Sequence, residues 1–312
     1  MKTFQIIYQG NLKKYRCEKY MKYNNQINDT KLIKKIYQKI LYGLIKRHYY
    51  YLSSPFRVLP ECFVIGVVRS GTTSLYHYLG QHPCVVSSSY DELGYFDDNY
   101  HLGINWYKSL FPTKFSKNKI IKKYGKFLTY DVTPFYIYNP LVARRILESF
   151  PKAKIISNLR NPIDRAYSNY IIMLQDGDTT KTFEEMVQIA MDEINKNKSK
   201  LNDEAYIVDT FYENILARGF YADQLEIWFE KFQKKQLLMI PSEDLAQKTD
   251  QVLTKVFEFL DLPYFKIKDF TKQNKREYPP MKDETRKLLI EFYKPHNKKL
   301  YSLINQHFDW DK

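Results

Sequence analysis

The chain has 312 residues, 44% of them apolar and 27% charged, enough for one large domain with its own core and too apolar for a disordered polymer. Lys and Arg number 49 against 35 Asp and Glu, a net charge of +14 that directs attention to anionic partners (nucleotides, polyanionic glycans, nucleic acid or an anionic membrane) without choosing among them. Cys17, Cys62 and Cys84 are too scattered for a disulfide framework, the six histidines lack zinc spacing, and no apolar run reaches the length of a bilayer span.

Residues 1–60 are rich in Lys, Tyr and Asn and form a basic extension to a domain over 61–312. Within them Leu32, Ile33, Ile36, Tyr37, Ile40, Leu41, Leu44 and Ile45 fall on one helical face, with Lys34, Lys35, Lys39, Lys46 and Arg47 elsewhere. Such a helix docks on the main domain or makes a peripheral membrane contact through residues 31–50. The N-terminus has only a stub of apolar residues where a secretory signal needs a longer run, so the expected location is the cytoplasm, membrane-peripheral attachment included.

From Glu61 onward strands and helices alternate. CFVIGV reads as a buried strand, SGTTSLYHYLGQH as a helix, FLTYDV as a strand and PLVARRILESF as a helix. KIISNL is a strand followed by the helix NPIDRAYSNYIIML, with Pro162 in its first turn. YADQLEIWFEKF is helical, QLLMI a strand, and TDQVLTKVFEFLDL and MKDETRKLLIEFYKPHNKKLYSLI are helices. The order predicts an α/β, three-layer, P-loop-like fold: a central mostly parallel sheet flanked by helices, with ligands at the carboxyl ends of its strands.

Two loops carry the chemistry. Gly66-Val67-Val68-Arg69-Ser70-Gly71-Thr72-Thr73 follows a strand and opens a helix, the context in which backbone amides and the helix dipole hold an anion. Its G-x-x-x-x-G spacing is that of an NTPase loop, yet Thr72 stands where the Lys belongs and the cation sits earlier, at Arg69. KIISNL ends in Arg160 and supplies no Asp for magnesium, so a metal-dependent NTPase or nucleotide kinase is disfavoured and no metal is expected. A plain strand-to-helix turn with hydroxyl caps remains the alternative. In the second loop Arg160 precedes Ser168 by about two helical turns, so a forked, permanently charged guanidinium and a hydroxyl make a monophosphate cradle. The alternative is an Arg160–Asp164 ion pair with Ser168 merely packed. Two anion sites on adjoining strand ends suit a nucleotide with two separate phosphate groups.

The two loops together resemble the cofactor signatures of sulfotransferases that use 3′-phosphoadenosine 5′-phosphosulfate (PAPS). FVIGVVRSGTTSLYHYLGQHP, DELGYFDDNYHLGINWYKSLFP, FPKAKIISNLRNPIDRAYSNY, GFYADQLEIWFEKF and EFYKPHNKKLY are similar to blocks of the heparan sulfate glucosaminyl N- and 3-O-sulfotransferases, over roughly residues 61–311. The resemblance implies that Arg69, Ser70, Gly71, Thr72, Thr73 and Ser74 hold the 5′-phosphosulfate and that Arg160 and Ser168 bind the 3′-phosphate. It makes Glu92 the catalytic base, Asp97 an acid beside the acceptor, and Lys275 and Arg276 cations of a loop closing over the nucleotide. Three departures stand out: Arg69 where the family usually has Lys, Gly94 where many relatives have His, and a closing loop without the usual disulfide pair or the Gly before its Arg. Arg69 is read as an electrostatic clamp rather than a proton donor.

The expected reaction is transfer of a sulfuryl group from PAPS to a hydroxyl or amine of a carbohydrate acceptor, acidic polysaccharides included. Nucleic acid is not an expected partner. The competing reading is a catalytically inactive P-loop-like protein that binds polyanions or nucleic acid, and the resemblance offers the Golgi lumen as the alternative location. The run Lys114, Lys117, Lys119, Lys122, Lys123 and Lys126 is read either as a groove for an acidic polysaccharide or as a solvated loop.

Overall fold

The computed structural model describes residues 51–197, 204–271 and 279–310; the helix expected within 31–50 lies outside them, as do Cys17, Lys275 and Arg276. In chain order the elements are β1 (Cys62–Gly66), α1 (Thr72–Gly80), α2 (Gly103–Lys108), α3 (Lys114–Tyr124), β2 (Tyr130–Val132), α4 (Pro140–Ser149), β3 (Lys154–Leu159), α5 (Pro162–Gln175), α6 (Phe183–Lys196), α7 (Glu204–Glu213), α8 (Tyr221–Lys231), β4 (Leu237–Pro241), α9 (Ser242–Gln247), α10 (Thr249–Phe259) and α11 (Asp283–Ile304). The strands pair in the order β2-β1-β3-β4, every pairing parallel. Among the described residues no helix is long and apolar enough to cross a membrane.

Side chains on a strand alternate between faces, so the short apolar strands feed two cores. Phe63, Ile65, Ile155 and Leu159 point to one, completed by Trp228 of α8 and Tyr293 of α11. Cys62, Val64, Ile156 and Ile240 point to the other, closed by Leu75 and Leu79 of α1 and by Val256 and Phe257 of α10. Helices on both faces leave the two ends of the strands as the open edges of the layer. Two helices that leave the carboxyl edge begin alike: Pro140 and Pro162 occupy first helical positions, while Asn139 and Asn161 accept from the amides of Leu141 at 3.0 Å and Ile163 at 2.9 Å. These caps fix the angle at which α4 and α5 depart from the sheet.

The run from Lys114 to Lys123 is not a loop. It forms α3, capped by Thr113, whose hydroxyl accepts from Ser116 N at 3.2 Å, and ended by Gly125 at φ 78°. Lys117 pairs at 3.8 Å with Glu61, the residue before β1, so the helix stands at the amino end of the strands. The two sequence-proposed loops lie at the opposite, carboxyl end.

Candidate active site

The loop after β1 turns sharply. Gly66 ends the strand against α4's approach, where a Cβ would come within 2.9 Å of Ile137 Cγ2. Arg69 and Gly71 both adopt left-handed backbone, at φ 72° and 83°. For Gly71 this carries no steric cost; for Arg69 it costs about 1 kcal/mol and needs outside support. Ser70, fully buried, donates its hydroxyl to Val67 O at 2.6 Å and closes the loop on itself. Its side chain is thereby spent on the loop, and only its amide remains for a ligand. Helix α1 then opens on Gly71 without a side-chain cap, so the amides of its first turn face the strand edge, with Thr72 and Ser74 buried and Thr73 half-buried around them.

The support for Arg69 comes from the second loop. Arg160, at the end of β3, donates from Nη1 to Arg69 O at 2.9 Å. Arg69 in turn donates from Nε to Ser168 Oγ of α5 at 3.2 Å. Tyr221 OH donates to Arg160 O at 2.9 Å, and Asn161 N donates to Glu243 Oε1 at 2.9 Å, so the stem of this loop is anchored on α8 and α9. Three residues proposed from sequence for two separate phosphate groups are thus one linked set. Two guanidinium groups and uncapped helix amides at one strand edge can hold a multiply charged anion. Asp164 pairs with Arg286 of α11.

Glu92 stands on the other flank. Its amide donates to Val132 O at 2.7 Å, at the carboxyl end of β2, and its side chain is exposed. Since β2 and β3 both neighbour β1, Glu92 and Arg160 bracket the Arg69 loop from opposite sides.

Three comparisons bear on this arrangement. A family model described as the sulfotransferase domain matches residues 59–309. The membrane-associated sulfotransferase kil1 of Dictyostelium discoideum is 29% identical over 81% of this chain and 66% of its own length. The bifunctional heparan sulfate N-deacetylase/N-sulfotransferase 4 of Mus musculus is also 29% identical, over 80% of this chain and 30% of its own. The chain therefore spans less than two thirds of either relative. A solved sulfotransferase from Alicyclobacillus acidocaldarius superposes with a TM-score of 0.62 at 25% identity, over 82% of this chain and all of that one. The chain belongs to the sulfotransferase domain family.

Sulfotransferases are transferase enzymes whose family uses PAPS as donor. Of the residues expected to serve this sulfotransferase, Arg69 to Ser74, Arg160 and Ser168 gather at one edge, with Glu92 on the adjoining strand end. Asp97 is drawn inward: it is 9% exposed, its Oδ1 accepts from Asp98 N at 2.7 Å, and it lies within electrostatic reach of Arg145 on α4. That guanidinium stacks 4.0 Å over the Tyr100 ring. Lys275 and Arg276 fall outside the described residues. On either side of them, Phe270 O accepts from Tyr78 OH of α1 at 3.1 Å and Pro279 O accepts from Tyr167 OH of α5 at 3.0 Å.

Sequence reasoning missed one component of the enzyme. Asp131, in the middle of β2 and fully buried, accepts from Tyr107 OH at 2.8 Å, Thr133 Oγ1 at 2.8 Å and Tyr136 OH at 3.0 Å. Burial pushes its carboxyl from 3.8 up to about 6 against the three hydrogen bonds that favour the ionised form. The same donors reach on: Thr133 Oγ1 accepts from Gly94 N at 3.3 Å, and Tyr136 OH accepts from Tyr95 N at 2.8 Å and Phe96 N at 3.3 Å. A single buried carboxylate therefore holds the backbone that follows Glu92. The signal available in sequence was a lone acid inside the apolar strand TYDV, which is costly unless paired.

Proposed function

We propose that this enzyme transfers the sulfuryl group of PAPS to a hydroxyl or amino group of a saccharide, with Glu92 as the general base. The observation that carries the reading is the linked set Arg160–Arg69–Ser168 on one side of the loop with the exposed Glu92 carboxylate on the other. PAPS supplies the activated sulfuryl group and departs as adenosine 3′,5′-bisphosphate. Glu92 takes the acceptor's proton, which raises the nucleophilicity of the oxygen or nitrogen it leaves behind. Arg69 and the first-turn amides of α1 stabilise the charge that grows on the 5′-phosphate side, and their positions are set before reaction by Arg160 and Ser168. Arg160 and Ser168 hold the 3′-phosphate, Arg160 through its fork and Ser168 through its hydroxyl. Arg276 and Lys275 add cations from the stretch between α10 and α11. No metal enters this scheme. Asp97 acts at one remove, by fixing Arg145 behind the acceptor side.

A saccharide acceptor is supported by the mouse relative, whose name gives heparan sulfate as its substrate. The test is sulfate transfer from labelled PAPS across glycosaminoglycans, their desulfated backbones and simple glycosides. Incorporation into at least one saccharide is the expected result. Thermal stabilisation by adenosine 3′,5′-bisphosphate no greater than by ATP–magnesium or short DNA, with no transfer, would replace the enzyme reading with that of a polyanion-binding protein.

A further inference from the structure

Helix α3 is an oddity in packing terms. It has none of its residues buried; only Ser116, Lys117 and Ile120 are half-buried, and these mark the side that rests on the domain. Short helices gain most of their stability from an apolar face packed inward, and this one has almost none. Its outward side is what is distinctive. At helical spacing Phe115, Asn118, Lys119 and Lys122 form one stripe, with Lys114 and Lys123 beside it, all exposed. No Asp or Glu occurs from Lys114 to Tyr124. Phe115 is 78% exposed in the midst of these lysines.

A second exposed apolar group adjoins the start of the helix. Arg57 bridges antiparallel to Thr113, the cap of α3, and Val58 N donates to Pro112 O at 3.0 Å. The residue before Arg57 is Phe56, 67% exposed, and Leu52, four residues earlier, is 76% exposed. Lysines ringing large apolar side chains suit a surface that is anionic outside and apolar just beneath. An acidic polysaccharide offers the charge without the apolar layer. The chain's own segment 31–50 carries Lys34, Lys35, Lys39, Lys46 and Arg47, charges of the same sign as those of α3.

We propose that α3, with Phe56 and Leu52, is a docking surface for an anionic lipid bilayer: Phe115 enters the headgroup region and Lys114, Lys119, Lys122 and Lys123 bind the lipid charges. The placement fits this role. The pair Lys117–Glu61 ties α3 to the amino end of the strands, so a docked enzyme holds its carboxyl edge, with Arg69 and Glu92, away from the membrane and open to an acceptor.

The test is co-sedimentation of the full chain with phosphatidylcholine vesicles, with and without one third phosphatidylserine, for the wild type, Phe115→Ala and Lys119→Glu/Lys122→Glu. All three are checked for folding by thermal melting. The wild type is expected to bind only the phosphatidylserine vesicles, and less so as salt rises. Phe115→Ala should lower partitioning roughly ten-fold. The double charge reversal should lower it by roughly five-fold or more per lysine and flatten the salt dependence. Failure of the wild type to bind, or wild-type binding by both variants, would overturn the proposal, the latter moving any contact to another part of the chain such as residues 31–50. Loss of heparin retention in the charge reversal with vesicle binding intact would also overturn it, in favour of a glycan.

Discussion

On the β3 flank of the 67–71 loop side chains grip the loop directly: the Arg160 guanidinium takes the Arg69 carbonyl at 2.9 Å, and Arg69 reaches across to Ser168 at 3.2 Å. On the β2 flank the proposed base is exposed, and what is fixed is the backbone around it, by Val132 O before and by Thr133 and Tyr136 after. The first flank is built to bind one charged molecule tightly. The second leaves the Glu92 carboxylate, the proposed base, exposed, while a buried carboxylate, Asp131, holds the backbone that follows it. The lesson is that affinity and turnover should separate by flank when each is damaged.

The largest separation is expected from Glu92→Gln, which removes the base and should cost about 10²- to 10⁴-fold in kcat with the affinity for adenosine 3′,5′-bisphosphate unchanged. Steady-state transfer assays beside calorimetric titration of the bisphosphate read both quantities; wild-type turnover would remove Glu92 from the mechanism. Next comes Asp131→Ala. It strands three buried hydroxyl donors and should destabilise the fold by about 3 kcal/mol or more in urea unfolding. The milder Asp131→Asn tests the same group by pH. Because the folded-state value lies near 6, above the ordinary 3.8, the protonated acid stabilises the fold fully below about pH 4, and that contribution is lost as pH rises to about 6. The difference in unfolding free energy between wild type and Asp131→Asn should therefore slope across that window and flatten above it.

Arg160→Ala acts on the other flank. Loss of one charge-assisted contact should weaken bisphosphate binding roughly ten- to hundred-fold, with Arg160→Lys restoring part of it because the ammonium lacks the fork. The smallest effect belongs to Gly71→Ala. The nearest atom to the new Cβ would be Leu245 Cδ2 at an ordinary 3.7 Å, so the cost is the left-handed dihedral alone, about 1 kcal/mol in stability, with a parallel loss of bisphosphate affinity.

Much of this was legible in the letters. KIISNL is β3 residue for residue, and CFVIGV, QLLMI and the long C-terminal helix lie within two residues of the observed elements, because central strands and two-faced helices announce themselves by apolar period. Arg69, Arg160 and Ser168 were legible as candidates, but their linkage was not, since it joins residues 91 and 99 apart. Helix α6 is absent from the expected elements although a capping box marks its start, with Glu185 N donating to Thr182 Oγ1 at 3.3 Å. Helix α3 is not legible as a helix because its lysines hide a period that serves no core. Asp131 escaped for another reason. Its partner Tyr107 is 24 residues away, and only the folded β2 brings them together.

The strand order has one further consequence. From β1 the chain runs first to one side, to β2, and then crosses back to the other, to β3. The connections leaving β1 and its neighbours therefore part company above the central strand, and a cleft opens there by connectivity before any side chain is chosen. The sulfotransferase of Alicyclobacillus acidocaldarius superposes on this fold at only 25% identity, so the architecture tolerates extensive change of side chains. Evolution can exchange what fills this divide, an arginine for a lysine or a glycine for a histidine, without having to dig it again.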